Sequence, residues 1–270
     1  MNLAEAELTP AQFARITGRL YAHCGIRMRE GKESLVRARL AKRLRTLQLP
    51  HFDAYLAHVE SEPDGREFAE MIDVLTTNTT SFLREVAHFD FLRDEVFPGL
   101  TAPIRIWSAG CSSGEEAYTL SMLLHETLVG EQVRDARILA TDISQRMLAT
   151  AQAGVYPASA MAEVPPAWRE RYWTRRADGE SARYEAAPSL RRLIRFAPMN
   201  LMAKWPMRGP FDAVLCRNVM IYFDKGTQQR LVERFHALLR PGGYLFVGHS
   251  ESLTGLSHRF RYVRPAIYRK

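Results

Sequence analysis

The residues with the strongest chemical promise lie in the run RIWSAGCSSGEE, residues 105–116, where an apolar segment gives way to a glycine turn and then to two carboxylates. Gly110 and Gly114 allow a tight turn and let a ligand approach main-chain N–H groups, the use that dinucleotide folds make of such glycines. Two glycines after a strand are also ordinary turn chemistry, and the run departs from G-x-G-x-x-G, which counts against pyrophosphate binding. Asp142 sharpens the reading. It ends the next apolar run, ILATD, where an acidic side chain accepts from both hydroxyls of a ribose. The same residue is also placed to cap the helix that follows Ile143.

These groups need a scaffold, and the chain is long enough to provide one. With 270 residues, 46% of them hydrophobic, it exceeds one ordinary domain and buries a real core. After Pro98, strand-like runs alternate with helical ones: IRIWSAG, a helix from about residue 115 to 128, ARILATDIS, a helix, FDAVLCRNVMIYF, a helix through Leu239, and GGYLFVGHS. Such alternation predicts a mostly parallel, doubly wound sheet with helices on both faces. From 157 to 200 it lapses. There Pro165-Pro166, the Asp178-Gly179 turn and the runs ARYEAA and RRLIRFAPM predict a small insert of short antiparallel strands.

The first quarter reads as a small helical bundle punctuated by Pro50 and Pro63-Asp64-Gly65. Val36, Leu40, Leu44 and Leu47 recur at helical spacing, with Arg37, Arg39, Lys42, Arg43 and Arg45 spread around the remaining face. The expected division is a helical domain over 1–76, a linker over 77–97, and an α/β domain over 98–270 with its insert at about 157–200.

Composition excludes several classes. Cys24, Cys111 and Cys216 lie far apart in the sequence and read as reduced thiols, and the eight histidines form no H-E-x-x-H pattern, so no metal site is expected. No run of about eighteen apolar residues and no signal-peptide pattern is present, which points to a cytoplasmic protein. A net charge of +7 and a pI near 9.5 permit a nucleic-acid partner. The distribution argues otherwise: eight basic residues between Arg27 and Arg45 face only Glu30 and Glu33, and from Asp53 to Asp73 the sign reverses.

Leu239-Arg-Pro-Gly-Gly-Tyr-Leu-Phe-Val is turn chemistry by itself; after the glycine turn and Asp142 it looks like the late motif of class I methyltransferases. Longer stretches carry a fuller resemblance: LTTNTTSFLRE (75–85), IWSAGCSSGEEAYTLSMLL (106–124), ATDIS with AQAGVY (140–156), and the run from FDAVLCRNVMIYF to GHSESL (211–253). Together they resemble the CheR family of chemotaxis receptor glutamate O-methyltransferases, over almost the whole chain. The resemblance implies a class I S-adenosylmethionine-dependent (Rossmann-like) methyltransferase domain with an N-terminal all-helical domain and a small antiparallel β insert. S-adenosylmethionine would be the cofactor and S-adenosylhomocysteine the product. Matched by motif, Asn78, Thr80, Arg84, Glu115, Asp142, Asn200, Leu201, Asn218 and Val219 would line the cofactor site beside Gly110, with Glu116 the alternative to Glu115. Ala117 stands where many relatives carry proline. Asn78 also fits a helix cap, and Asn200 a turn closure.

Methyl transfer to a carboxylate needs orientation and loss of water rather than a base, because glutamate is already ionised at neutral pH. Arg84 is the first candidate to hold that carboxylate in its planar fork; it also fits the cofactor's own carboxylate or a salt bridge to Glu85. Tyr222 is the second catalytic candidate, as a pocket wall with a hydroxyl donor, against the plainer reading of a strand-end aromatic. Arg37, Arg39, Lys42 and Arg43 form the expected recognition face for methyl-accepting chemotaxis proteins, through their cytoplasmic helical methylation region. A solvated helix face explains the same charges. In some relatives the β insert docks a C-terminal receptor peptide, though Trp168, Tyr172, Trp173 and Tyr184 also suit the insert's own core. The enzyme would be recruited to membrane-bound receptor arrays without inserting into the bilayer. The rival readings are a nucleic-acid methyltransferase and a binding module that senses the cofactor without turnover.

Overall fold

Helix boundaries in the N-terminal quarter follow from side chains that satisfy orphan backbone groups. In α1 (Pro10–Cys24), the Thr9 hydroxyl accepts from the Gln12 N–H at 3.3 Å while the Gln12 side chain accepts from the Thr9 N–H at 2.9 Å, a reciprocal capping box. Gly25 closes the helix in the left-handed region at φ 72°. The computed structural model describes residues 7–62, 65–178 and 181–270, so the turns expected at Pro63-Asp64 and Gly179 lie outside the described residues. The chain forms two units: residues up to Thr77 with Tyr222–Asp224, and Asn78–Ile221 with Lys225–Lys270. Residues 78–97, expected as a linker, thus group with the second unit.

In the first unit, α2 (Glu33–Thr46) buries Val36, Leu40 and Leu44 as its spacing predicts, while Leu47 lies past the helix end and is only half-buried. α3 (Phe52–Ser61) adds Phe52, Tyr55, Leu56 and Val59, and α4 (Arg66–Leu75) adds Met71, Ile72 and Leu75. A buried carboxylate sits among them. Glu67 is 3% exposed and accepts from Arg43 Nε at 2.9 Å and from the Tyr55 hydroxyl at 3.0 Å, the donors a buried charge requires. Arg39 donates to the carbonyls of Leu75 at 2.7 Å and Thr76 at 3.2 Å at the C-terminal end of α4. The basic face of α2 therefore needs a correction: Arg39 and Arg43 fasten α2 to α4, while Arg37 and Lys42 are exposed.

The second unit is built on a seven-stranded sheet of order β6-β2-β1-β7-β8-β10-β9. Its strands are β1 (Arg105–Ala109), β2 (Arg137–Asp142), β6 (Ile194–Pro198), β7 (Phe211–Cys216), β8 (Leu239–Val247), β9 (Arg261–Arg264) and β10 (Ile267–Arg269). The first five in spatial order are parallel; β10 runs antiparallel to both β8 and β9. Helix-covered parallel strands are buried on both faces and read as apolar runs, and β7, FDAVLC, is buried at every position. α6 (Glu115–Thr127) is buried from Ala117 to Leu124, so it carries no polar stripe. α8 (Gln145–Ala153) and α11 (Lys225–Leu238) are the other long connections. Between Phe211 and Ala213 the register with β8 shifts, and the Pro241-Gly242-Gly243 segment absorbs the surplus, with Gly242 at φ 78°.

A separate antiparallel sheet holds β3 (Val155–Pro157), β5 (Ser181–Ala186) and β4 (Trp173–Asp178), in the order β3-β5-β4. One expectation fails here. The run RRLIRFAPM was expected within this insert, yet Ile194–Pro198 is β6, parallel to β2 at the edge of the main sheet. Its half-buried edge position tolerates arginines that a central strand would exclude. The insert's aromatics form a core. Tyr172 and Trp173 are buried with Tyr156 and Met161, while Trp168 and Tyr184 pack against them.

Candidate functional site

The glycine turn after β1 is shaped by what stands beside it. Gly110 has φ 90°, and a Cβ there would collide with Val219 Cγ2; Gly114 has φ 98°, and a Cβ would lie 2.7 Å from that of Ala151. Both positions therefore exclude side chains. The turn is hung from β2: the N–H groups of Gly110 and Cys111 donate to the Thr141 carbonyl at 2.8 and 2.9 Å, and the Ser112 N–H donates to Asp142 Oδ2 at 2.7 Å. Asp142, 8% exposed, takes the Ser144 N–H on its other oxygen at 2.9 Å. Asp142 is not the helix cap, because the Ser144 hydroxyl accepts from Met147 and caps α8.

The two adjacent glutamates separate cleanly. Glu115 opens α6, is 7% exposed and accepts from the Ser113 hydroxyl at 2.7 Å; burial holds its carboxyl above the usual carboxylate range. Glu116 is committed to the fold, taking the Ser108 hydroxyl at 2.6 Å and Arg217 Nη1 at 2.9 Å. Glu115 thus makes its side-chain hydrogen bond within its own turn, whereas Glu116 is tied to β1 and to Arg217.

Residues 78–85 come to this turn through the Ser112 hydroxyl, which donates to the Asn78 carbonyl at 2.8 Å. Phe82, fully buried, anchors the segment edge-on against Tyr156 and Trp173. Thr80 is half-buried. Arg84 is likewise half-buried and donates to the Thr79 carbonyl at 2.7 Å. It forms no bridge to Glu85; that carboxylate accepts from Arg217 Nη2 at 3.2 Å and from Asn218 Nδ2 and the His249 N–H, each at 3.2 Å. Burial pushes the Glu85 carboxyl up, but the His249 N–H, Arg217 and Asn218 bring it below the usual range. Leu83 and Glu85 both take left-handed φ, 55° and 58°, a strain that surrounding contacts must hold.

After β7, Asn218 also takes a left-handed φ of 58°, and Val219 abuts Gly110. After β6, the Met199 N–H donates to the Asp142 carbonyl at 2.9 Å, and Asn200 closes a turn by accepting from the Met202 N–H at 2.9 Å. Leu201 is 9% exposed, and its carbonyl accepts from Trp205 and Arg234. Asn78, Arg84, Gly110, Glu115, Asp142, Asn200, Asn218 and Val219 thus share the carboxyl end of β1, β2, β6 and β7, where open α/β sheets bind ligands. Tyr222 groups with the first unit, where its carbonyl accepts from the Arg27 N–H at 2.9 Å and its hydroxyl donates to Thr77 at 3.4 Å.

One charged residue, Arg217, and the ion pairs it makes escaped the reading of the chain by itself. Arg217, whose side chain is 3% exposed, and its partners Glu85 and Glu116 are brought together across more than 100 residues. Glu85, His88 and His249 also gather three potential metal-ligand atoms within 4.8 Å, which no sequence spacing signals. Arg217 already occupies Glu85 Oε2, so a guanidinium rather than an ion satisfies that carboxylate.

Residues 78–268 match the family described as CheR methyltransferase, SAM binding domain, and residues 11–76 match its all-alpha domain. The chain belongs to the CheR methyltransferase family. Chemotaxis protein methyltransferase 2 of Pseudomonas aeruginosa is 40% identical, covering 98% of this chain and 94% of the relative. The chemotaxis protein methyltransferases of Klebsiella aerogenes and Escherichia coli are 40% and 39% identical, each over 97% of this chain and over 90% and 91% of the relative. Family membership fixes the cofactor class as S-adenosylmethionine, and the site suits it: a side-chain-free turn at Gly110 gives close backbone approach, with the sheltered carboxylates of Asp142 and Glu115 on the same turn and the neighbouring strand end. Among the described residues no helix is long and apolar enough to cross a membrane.

Proposed function

We propose that this member of the CheR family methylates glutamate side chains of methyl-accepting chemotaxis receptors, producing methyl esters during sensory adaptation. The observation that carries the reading is the convergence of the Gly110 turn, Glu115, Asp142 and the Arg84 segment at one end of the parallel sheet, in a chain that matches both family domains. S-adenosylmethionine supplies an electrophilic methyl group when bound. Asp142 would accept from its ribose hydroxyls, Glu115 would offer a carboxylate to its ammonium, and Asn78, Thr80, Asn200, Leu201, Asn218 and Val219 would line the remaining surface.

Arg84 orients the incoming carboxylate or the cofactor's own through a two-pronged hydrogen bond. Its contribution is geometric, since an arginine that bound the substrate and the transition state equally would not raise the rate. Tyr222, a few residues after Asn218–Val219 in sequence, is the second catalytic candidate by residue type, a ring with a hydroxyl donor. Recognition of the acidic receptor surface falls to Arg37 and Lys42, whose attraction salt would screen. A receptor C-terminal peptide would add to an edge strand of the β3-β5-β4 sheet. The enzyme works in the cytoplasm, recruited to receptor arrays.

The deciding experiment incubates the protein with tritiated S-adenosylmethionine and chemoreceptor-bearing membranes. Base-labile label in the receptor, mapped to glutamate, is the expected result; base-stable label in nucleic acid, or none anywhere, overturns the reading.

A further inference from the structure

Glu251 is a buried carboxylate, 8% exposed, in the GHSESL run after β8, and methyl transfer as described gives it no part. Its oxygens are held by main-chain N–H groups. Oε2 accepts from Asn218 at 2.8 Å and from Gly248, and Oε1 accepts from Ile221 at 3.0 Å. Hydrogen bonds from N–H groups to a charged acceptor are the strong kind. All three donors belong to two loops at the carboxyl ends of β7 and β8.

The local backbone explains why such a group is required. Asn218 sits at φ 58°, in the left-handed region that asparagine enters more readily than other residues with a side chain, and the carboxylate holds its main-chain N–H there. Gly248 has no room for a Cβ, which would lie 2.8 Å from the Asn218 nitrogen and closer still to its side-chain amide. On the opposite side Val219 is pressed against Gly110. The loop from Asn218 to Ile221 is therefore clamped between the glycine turn and one anionic side chain.

We infer that Glu251 is the positioning residue of the cofactor loop: its carboxylate fixes the left-handed Asn218 and so sets the backbone from which Asn218 and Val219 meet the cofactor. The inference rests on the S-adenosylmethionine reading of that loop. Glutamine at this position has the same shape but only one acceptor oxygen, and its amide group turns donor towards donor against the loop N–H groups. Aspartate keeps the charge with a shorter reach.

The test measures S-adenosylhomocysteine binding by calorimetry, thermal unfolding, and the amide resonance of Asn218 in an ¹⁵N-labelled sample, for wild type, E251Q and E251D. Expected are a cooperative melt in E251Q, a loss of affinity of about tenfold or more, a displaced Asn218 amide, and partial recovery of both in E251D. Methylation kinetics of E251Q should show a larger rise in KM for the cofactor than fall in kcat. A displaced Asn218 amide with affinity within about twofold of wild type overturns the inference, in E251Q or, should that variant not fold, in E251D. Wild-type protein that fails to bind S-adenosylhomocysteine would overturn the cofactor reading itself, a result distinct from equal binding by wild type and variant.

Discussion

Arg217 Nη1 lies 2.9 Å from Glu116 Oε2, with the arginine side chain 3% exposed and the glutamate 13%. This pairing assigns different work to neighbouring carboxylates on α6. Glu116→Gln leaves a sheltered guanidinium short of one partner; Glu85 still compensates in part, so the cost should be about 2 kcal/mol, below the 3–5 kcal/mol of a fully broken buried pair. In a chain of this size that lowers Tm by roughly 4–8 °C. Glu115→Gln should instead weaken S-adenosylhomocysteine binding with the melt nearly unmoved. Calorimetry and melting curves that gave the reverse pattern would exchange the two assignments.

Arg84→Ala should retain measurable cofactor binding and lose methyl transfer, because the guanidinium makes one hydrogen bond to its own turn, at Thr79, and its wider role is orientation. Normal binding accompanied by normal turnover would remove Arg84 from the mechanism.

On α2 the basic residues should divide in two. Arg37→Ala with Lys42→Ala is expected to raise the receptor KM in low salt, with the difference shrinking as ionic strength rises, and to leave Tm within about 1–2 °C, as surface changes usually do. Arg43→Ala strips the cation from Glu67 and should cost about 3–5 kcal/mol, seen as a loss of several degrees. A receptor KM unaffected by the double substitution would exclude the exposed face from docking.

His88 contributes to the acid side of the stability curve. It is 1% exposed, its ring nitrogens have no hydrogen-bond partner, and burial, followed by Arg217, lowers its pKa to about 4 from 6.5. The unfolded chain therefore takes up this proton first as pH falls, so stability is complete above about pH 6.5 and is lost between there and pH 4. The loss amounts to about 3 kcal/mol at about 1.4 kcal/mol per unit. Glu85, held low, adds its own loss only below its unfolded value near 4.5. His88→Phe keeps a ring against Phe246 and should flatten urea-derived stability between pH 6.5 and 4.5; an unchanged slope would show that other groups govern it.

The parallel sheet was legible because buried strands such as FDAVLC and a helix buried all round such as α6 leave unbroken apolar runs. β6 was not, since an edge strand with arginines looks like an insert strand until its partner β2 is known. Gly110 and Asp142 stood out through local turn chemistry, and Asn218 through the motif shared with the family. Arg217, Glu85 and Glu251 make hydrogen bonds to partners 33 to 132 residues away, and no local pattern carries such pairings. The same holds for Arg39 and Arg43, whose partners are on α4. Leu47 obeyed the helical period but fell one residue past the end of the helix.

Phe82 ties the segment bearing Asn78, Thr80 and Arg84 to the aromatic core that the insert shares with α6. The insert is therefore not an interchangeable cassette. Chimeras that graft the β3-β5-β4 sheet from a distant relative inherit a second obligation: unless Tyr156 and Trp173 arrive with a matching counterpart of Phe82, the segment bearing Asn78, Thr80 and Arg84 loses its anchor.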